Sequence, residues 1–346
     1  MEKKIRTGVI GLGKMGILHS ALINMITQTD LVSLHDRNRK LSKYVANSGM
    51  NVTFYSHLEQ MLDNEDLDAV FVCTPPFTHL QIAQECISRN LDVFVEKPLA
   101  ESLSSAKKMV SLVEDKGTIH ATGFNLAHIT LYRKAKHILE KGVLGKIHRF
   151  NISVYFSQVL SKKKGWFYDK SKSGGGVVID IASHLIYLVT WYFGLPQRIY
   201  ARTLNFYSDV EDCGSIMFEY KNGLIGALDA NWSIPGYRLA TIEIALEGEN
   251  GFMEITNDYI KLNLHQTVDK LKGGWTTLHK IDLESRSHFD LGSEGFYDED
   301  KHFIECCLNR EKPHVSWTDG FDVQRIIEAV YLSSEAGGPV DVDLAF

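Results

Sequence analysis

No stretch of this 346-residue chain approaches the ~20 consecutive apolar residues that a bilayer span needs. The longest, around 185–195, is about half that length, so no membrane partner is expected. A cationic excess is missing too. Against 37 Lys and Arg stand 43 Asp and Glu, a net charge of −6, which removes the broad basic face that nucleic acid requires. Cysteines number five, at 73, 86, 213, 306 and 307, with no CxxC or Cys/His ligand spacing. A secreted disulfide scaffold and a structural zinc are therefore poor fits. No metal is expected, and inert thiols in a reducing cytoplasm are. The first six residues lead straight into an apolar segment, leaving no room for a signal peptide, so the sequons at Asn51, Asn151 and Asn231 carry no weight. Repeats, low-complexity tracts and a Pro- or Ser-rich linker are also lacking. What is present is globular: 44% apolar and 23% charged residues, long enough for two tightly joined domains.

The two parts differ in rhythm. Residues 1–123 alternate short apolar runs (5–10, 31–35, 52–54, 69–73, 93–95, 119–122) with helical patterns such as 102–116. That alternation predicts βαβ units and a doubly wound parallel sheet, an α/β domain. From residue 124 to 346 the expected strands follow one another, at 147–156, 198–206, 215–220, 224–233, 240–248, 251–256 and 276–283, with Asn222-Gly223 as a hairpin signal. This predicts an α+β domain with a mostly antiparallel sheet. Helical patterns at 297–309 and 318–334 close it, the last of them free to pack back on the first domain.

Val9-Ile10-Gly11-Leu12-Gly13-Lys14-Met15-Gly16 places GxGxxG between a strand and a helix. Gly11 suits a tight turn, Gly13 a close approach to pyrophosphate, and Gly16 close helix–strand packing, with Lys14 and Met15 opening the helix. Asp36 follows Gly16 by twenty residues, where an acid that binds the ribose hydroxyls belongs. This favours NAD, while Arg37 and Arg39 keep NADP open because guanidinium groups accept a 2′-phosphate. Thr74, Pro75 and His79, at the carboxyl end of the fourth strand, are candidate cofactor walls.

Two further segments carry chemistry. Glu96-Lys97-Pro98 ends an apolar strand, and Pro98 permits a cis peptide that would fix where Lys97 points. Gly174-Gly175-Gly176 precedes a helix, 177–193, that is apolar nearly all round. Its polar members, Asp180, His184, Tyr187 and Trp191 with Ser183 and Thr190 beside them, fall on one stripe, and the three glycines suit close approach of a substrate.

GxGxxG at Gly11–Gly16, Glu96-Lys97-Pro98 and the GGGxxxDxxxH run ending in His184 together resemble the glucose–fructose oxidoreductase/inositol dehydrogenase (Gfo/Idh/MocA) family. Gly123-Phe124-Asn125, the segment 142–147 and Trp166 with Asp169 match it as well, so the resemblance spans nearly the whole chain. It implies an N-terminal Rossmann domain and a C-terminal domain with a large open sheet through which homodimers or homotetramers form. The activity it implies is NAD(P)-dependent hydride transfer between nicotinamide and a ring carbon of a sugar, inositol or related polyol. It implies Lys97, Asp180 and His184 as catalytic residues, with His184 as proton acceptor, Lys97 on the substrate oxygen and Asp180 holding His184. Cofactor contacts are expected at Gly11, Gly13, Lys14, Met15, Gly16, Asp36, Arg37, Thr74, Pro75, His79, Glu96, Lys97 and Asn125. Substrate contacts are expected at Lys97, Asn125, Trp166, Asp180 and His184. The chain departs from the family pattern at Tyr187, often aspartate, and at Ala127-His128, often Arg-Phe. The alternatives are a sugar nucleotide or sugar phosphate met by Lys162-Lys163-Lys164, an aromatic dihydrodiol, and a non-catalytic NAD(P)-binding regulator.

Overall fold

The computed structural model describes residues 3–283 and 295–343. Its contacts divide the chain into two compact units, Met1–His128 with His288–Phe321, and Ile129–Ser287 with Asp322–Phe346. The helices are α1 (Lys14–Ile23), α2 (Ser42–Ala46), α3 (Leu58–Asn64), α4 (His79–Ser88), α5 (Leu103–Val113), α6 (Thr130–Glu140), α7 (Lys170–Ser173), α8 (Ser183–Phe193), α9 (Lys280–Leu283), α10 (Phe296–Asn309) and α11 (Trp317–Ala336).

The first unit is built on six strands: β1 (Ile5–Ile10), β2 (Thr29–His35), β3 (Thr53–Tyr55), β4 (Ala69–Val72), β5 (Asp92–Glu96) and β6 (His120–Gly123). All pairings are parallel, in the order β3-β2-β1-β4-β5-β6. Alternate side chains enter two cores. Val9, Phe71 and Phe94 pack on one face with Ile23 of α1 and Phe303 and Ile304 of α10. Ile10, Val70, Val72, Val93 and Val95 pack on the other with helices α3 to α5 and Trp317. Burial on both faces is why these runs read as unbroken apolar segments. Strand order reverses between β1 and β4, and ligands of such sheets bind outside the carboxyl ends there.

The ring of His120 lies 5.4 Å from that of Trp317. Burial, reinforced by Lys312, lowers its pKa from 6.5 to about 4. A histidine kept neutral in the fold binds fewer protons than the unfolded chain below pH 6.5, so stability is lost as pH falls from 6.5 towards 4. Denaturant titrations should show wild type losing about 2 kcal/mol more between pH 7 and pH 5 than His120→Asn does.

The second unit carries nine strands: β7 (Ile147–Tyr155), β8 (Arg198–Leu204), β9 (Cys213–Glu219), β10 (Ile225–Asn231), β11 (Thr241–Gly248), β12 (Gly251–Ile255), β13 (Tyr259–Leu264), β14 (Gly274–His279) and β15 (Val340–Asp341). The order is β14-β13-β12-β11-β7-β10-β9-β8-β15, antiparallel throughout except β7 with β10. The Asn222-Gly223 turn joins β9 to β10, with Gly223 at φ +86°. β13 and the short β15 are additions to the strands expected from sequence. The strand expected at 276–283 ends at His279, because Lys280–Leu283 turns helical as α9. By length and composition the helical run Lys170–Phe193 is apolar enough to cross a membrane, a property that the count of unbroken apolar residues misses. In the structure 61% of that window is buried inside the protein, as in a core helix.

Candidate active site

Five strand ends of the first unit meet at its carboxyl edge. Gly11 leaves β1 at φ +93°, and a Cβ there would lie 2.6 Å from Thr74 Cγ2, so the turn after β1 packs directly on the turn after β4. A Cβ on Gly16 would sit 1.7 Å from the Gly11 carbonyl oxygen, so only glycine lets α1 approach β1 this closely. Gly13 differs. It is exposed, and a Cβ would meet no atom within 4 Å. Gly13 is also the N-cap of α1, whose first turn has no acidic residue and no side-chain cap. These first-turn amides and the open space before them fit a dinucleotide pyrophosphate. Lys14 is exposed and Met15 half-buried at the same opening.

Asp36, just past β2, accepts hydrogen bonds from the backbone N–H of Leu12 at 2.8 Å and of Asn38 at 2.7 Å. Its carboxylate is thereby held beside the glycine turn, where the ribose of a dinucleotide belongs. Arg37 is exposed, and Arg39 reaches His57 at 3.1 Å. Thr74 and Pro75 are half-buried, with Thr78 donating from its hydroxyl to both Thr74 Oγ1 and the Pro75 carbonyl. His79 is fully buried, its ring nitrogens facing the carbonyl oxygens of Thr74 (2.8 Å) and Leu99 (3.2 Å). Burial lowers its pKa, and the ring serves to hold the Thr74 turn from behind.

The end of β5 brings Lys97 to the same edge. The lysine is half-buried and its peptide to Pro98 is cis. Glu96 is buried, and its carboxylate is engaged inside the protein: Oε2 accepts the Lys97 N–H at 3.0 Å and Oε1 meets His19 Nε2 at 2.8 Å. Asn125, 5% exposed, lies in the single turn Asn125–His128 after β6. Sequence reasoning missed His19, whose only signal is its position on the buried side of α1, three residues after Gly16.

In the second unit the segment after α7 opens as a π-helix, Val178–Ala182, and continues as α8. Such wide turns recur at functional positions because they re-aim side chains. Among buried neighbours, Asp180, Ile181 and His184 keep partial exposure. The polar stripe expected from sequence is therefore shorter. Ser183 and Thr190 donate to carbonyl oxygens of their own helix, of Asp180 at 2.9 Å and Tyr187 at 2.8 Å. Tyr187 is buried, its ring stacked 6.1 Å from that of Trp191. Trp166, in the turn Trp166–Tyr168, is 41% exposed, and Lys162, Lys163 and Lys164 before it are exposed.

The glycine triplet does something other than admit a ligand. Gly174 ends α7 at φ +85°. A Cβ on Gly175 would come within 1.9 Å of the Tyr331 hydroxyl, and one on Gly176 within 2.1 Å of the Glu211 carbonyl oxygen. The triplet makes room for protein. Buried Glu211 accepts from the N–H groups of Gly176 (2.8 Å) and Val178 (3.1 Å) and from Tyr331 Oη (2.9 Å). Burial raises the pKa of Glu211, and these three donors oppose that shift. Gly176→Ala forces backbone against backbone and should cost about 3 kcal/mol in chemical denaturation.

Among the described residues no group of three or more His, Cys, Asp or Glu side chains is arranged to hold a metal ion.

Comparison with known proteins gives two family matches in chain order. Residues 5–124 match the oxidoreductase family with an NAD-binding Rossmann fold, and residues 132–254 match the GFO/IDH/MocA C-terminal domain. The chain is 26% identical to scyllo-inositol 2-dehydrogenase (NAD(+)) of Bacillus subtilis, over 99% of this chain and 98% of that protein. It is also 26% identical to myo-inositol 2-dehydrogenase of Thermotoga maritima, over 91% and 92%. Its fold is similar to that of levoglucosan dehydrogenase in complex with NADH and levoglucosan, at a TM-score of 0.88 and 23% identity, over 98% of this chain and all of that one.

Proposed function

The chain belongs to the GFO/IDH/MocA family of NAD-binding oxidoreductases, and on that premise we propose that it oxidises or reduces a ring carbon of a sugar, inositol or related polyol. The observation that carries the reading past cofactor binding is the partly exposed Asp180–His184 spot on a helix otherwise buried. An ionisable pair kept in a core helix is costly unless it is partnered or faces a wet cavity, and a substrate pocket supplies such a cavity.

The residues divide the work as follows. The N–H groups at the start of α1 and the bare Gly13 hold the pyrophosphate, and Asp36 takes the adenosine ribose, which favours NAD over NADP. Lys14, Met15, Arg37, Thr74, Pro75 and Asn125 border the cofactor. When bound, the nicotinamide takes or gives the hydride. His184 acts as the general base that removes the proton from the substrate hydroxyl. Lys97 donates a hydrogen bond to the same oxygen and stabilises charge developing there. Asp180 holds the imidazole in one tautomer and favours its protonated form. Trp166 contributes an exposed ring against the substrate.

The first unit acts as the dinucleotide domain and the second as the substrate and assembly domain. Tyr200 and Met217 pair across β8 and β9 and are 39% and 57% exposed, and Ile225 on β10 is 49% exposed. This apolar area on an open sheet face suits a second copy of the chain. Sedimentation should give a dimer or tetramer, and Met217→Arg should shift it to monomer. All five cysteines are free, in keeping with a reducing compartment such as the cytoplasm. A phosphorylated sugar is the second substrate class, favoured by the three exposed lysines before Trp166.

A thermal-shift screen of sugars, inositols and sugar nucleotides with NAD+ and NADP+, followed by absorbance at the nicotinamide band, tests the proposal. NADH formation with a free polyol is expected. Intact NAD binding without turnover on any member would leave a regulator instead.

A further inference from the structure

Behind the Lys97 turn lies a group of buried ionisable side chains that neither cofactor binding nor the proton transfer uses. His19, on the inner face of α1, is completely buried, as is Asp300 on α10, and Glu96 at the end of β5 is 5% exposed. The imidazole bridges the two carboxylates: Nδ1 lies 2.7 Å from Asp300 Oδ1 and Nε2 lies 2.8 Å from Glu96 Oε1. Both distances are those of charge-assisted hydrogen bonds. An ionised carboxylate only accepts, so two carboxylates on one imidazole call for two N–H donors, which is the protonated ring.

The surroundings agree. The rings of Phe71, Phe94 and Phe296 stand 5.9, 5.3 and 5.9 Å from that of His19 and exclude water. Burial alone would strip the imidazole of its proton, yet the Asp300 carboxylate and the hydrogen bonds to Asp300 and Glu96 outweigh it and raise the His19 pKa well above 6.5. Glu299, also on α10, is buried with neither oxygen hydrogen-bonded, and burial, with the Glu96 charge beside it, raises its pKa well above the usual range. Cys73, at the end of β4, is pushed up to about 12 by burial and stays a thiol. Burial raises the Asp300 pKa as well, while the His19 charge and hydrogen bond oppose that shift, so the two short contacts set the His19 ring against the Glu96 and Asp300 carboxylates.

We infer that His19 is a positioning residue: a buried imidazolium that fixes Glu96, which in turn fixes the Lys97 backbone, and so ties the helix that receives the dinucleotide to the turn that carries the lysine. The inference rests on the reading of Lys97 as the group on the substrate oxygen. It gives Glu96 a role apart from cofactor contact, because both oxygens of its carboxylate are committed within the protein. It also explains why α10, from late in the chain, is needed by the first unit beyond its apolar face: Asp300 supplies the second carboxylate. Breaking one side of such a buried pair leaves an uncompensated charge, which the Lys97 turn would feel directly.

The test has two arms. In the NADH complex of wild type carrying 15N-labelled histidine, NMR should show both His19 ring nitrogens protonated from pH 6 to pH 8. A singly protonated ring at pH 7 overturns the inference. In the second arm, His19→Gln and Asp300→Asn are compared with Lys97→Ala for NADH affinity by fluorescence titration and for turnover on the best polyol. The expected result is NADH affinity within about threefold of wild type and KM little changed, with kcat at least tenfold lower in the His19 and Asp300 variants. An unchanged kcat in His19→Gln, alongside an inactive Lys97→Ala, overturns the inference alone. An active Lys97→Ala overturns the reading of the lysine, and the inference with it.

Discussion

Lys97→Ala and His184→Ala should each bind NADH within about threefold of wild type yet turn over a polyol about 10²- to 10⁴-fold more slowly. The expected split has a structural basis. The proposed dinucleotide cradle rests on backbone at Gly11, Gly13 and Gly16 and on Asp36, whose partners are Leu12 and Asn38, so neither variant should alter it. The loss should fall on kcat, because positioned acid–base groups act on charge that develops only in the transition state. Fluorescence titration with stopped-flow turnover would separate the two effects. Full turnover in either variant removes the role assigned to that residue.

The glycine turn should separate packing from ligand binding. Gly13 has φ −71° and ψ −168°, backbone that any residue adopts, and no protein atom stands within 4 Å of a Cβ built on it. Gly13→Val should therefore leave unfolding free energy within about 1 kcal/mol of wild type while weakening NADH by about 100-fold or more, as the side chain fills the pyrophosphate's place. Gly16→Ala should behave oppositely in stability. Its methyl would fall 1.7 Å from the Gly11 carbonyl oxygen, so α1 must move from β1 at a cost of about 3 kcal/mol, and NADH affinity falls as a consequence. Equal destabilisation by the two substitutions would mean that Gly13 also is packed, and that the opening before α1 is not the ligand's.

Much of this was legible in the chain. The runs at Val9-Ile10, Val70-Phe71-Val72 and Val93-Phe94-Val95 announce strands buried on both faces, and local turn chemistry announces GxGxxG and Asn222-Gly223. Other features depend on residues far apart in sequence. The purpose of Gly175 and Gly176 follows from Tyr331 and Glu211, which no local pattern connects to them. The π-turn at Val178–Ala182 interrupts a segment whose apolar residues read as one regular helix. His19, Glu96 and Asp300 are apolar-face positions occupied by ionisable groups, and only their meeting makes sense of them. The β14 end failed for a local reason: Ile281 and Leu283 keep the every-second-residue spacing of Trp275 and Thr277 while the backbone coils into α9.

One measurement bears most directly on the account, a crystal structure of the protein with NAD and the polyol that performs best in the screen. Lys97 Nζ and His184 Nε2 should both lie about 3 Å from a single substrate oxygen, with the carbon bearing it against the nicotinamide ring. Either group turned away from that oxygen, with cofactor and substrate in place, would contradict the proposed chemistry and leave a protein that holds NAD for another purpose.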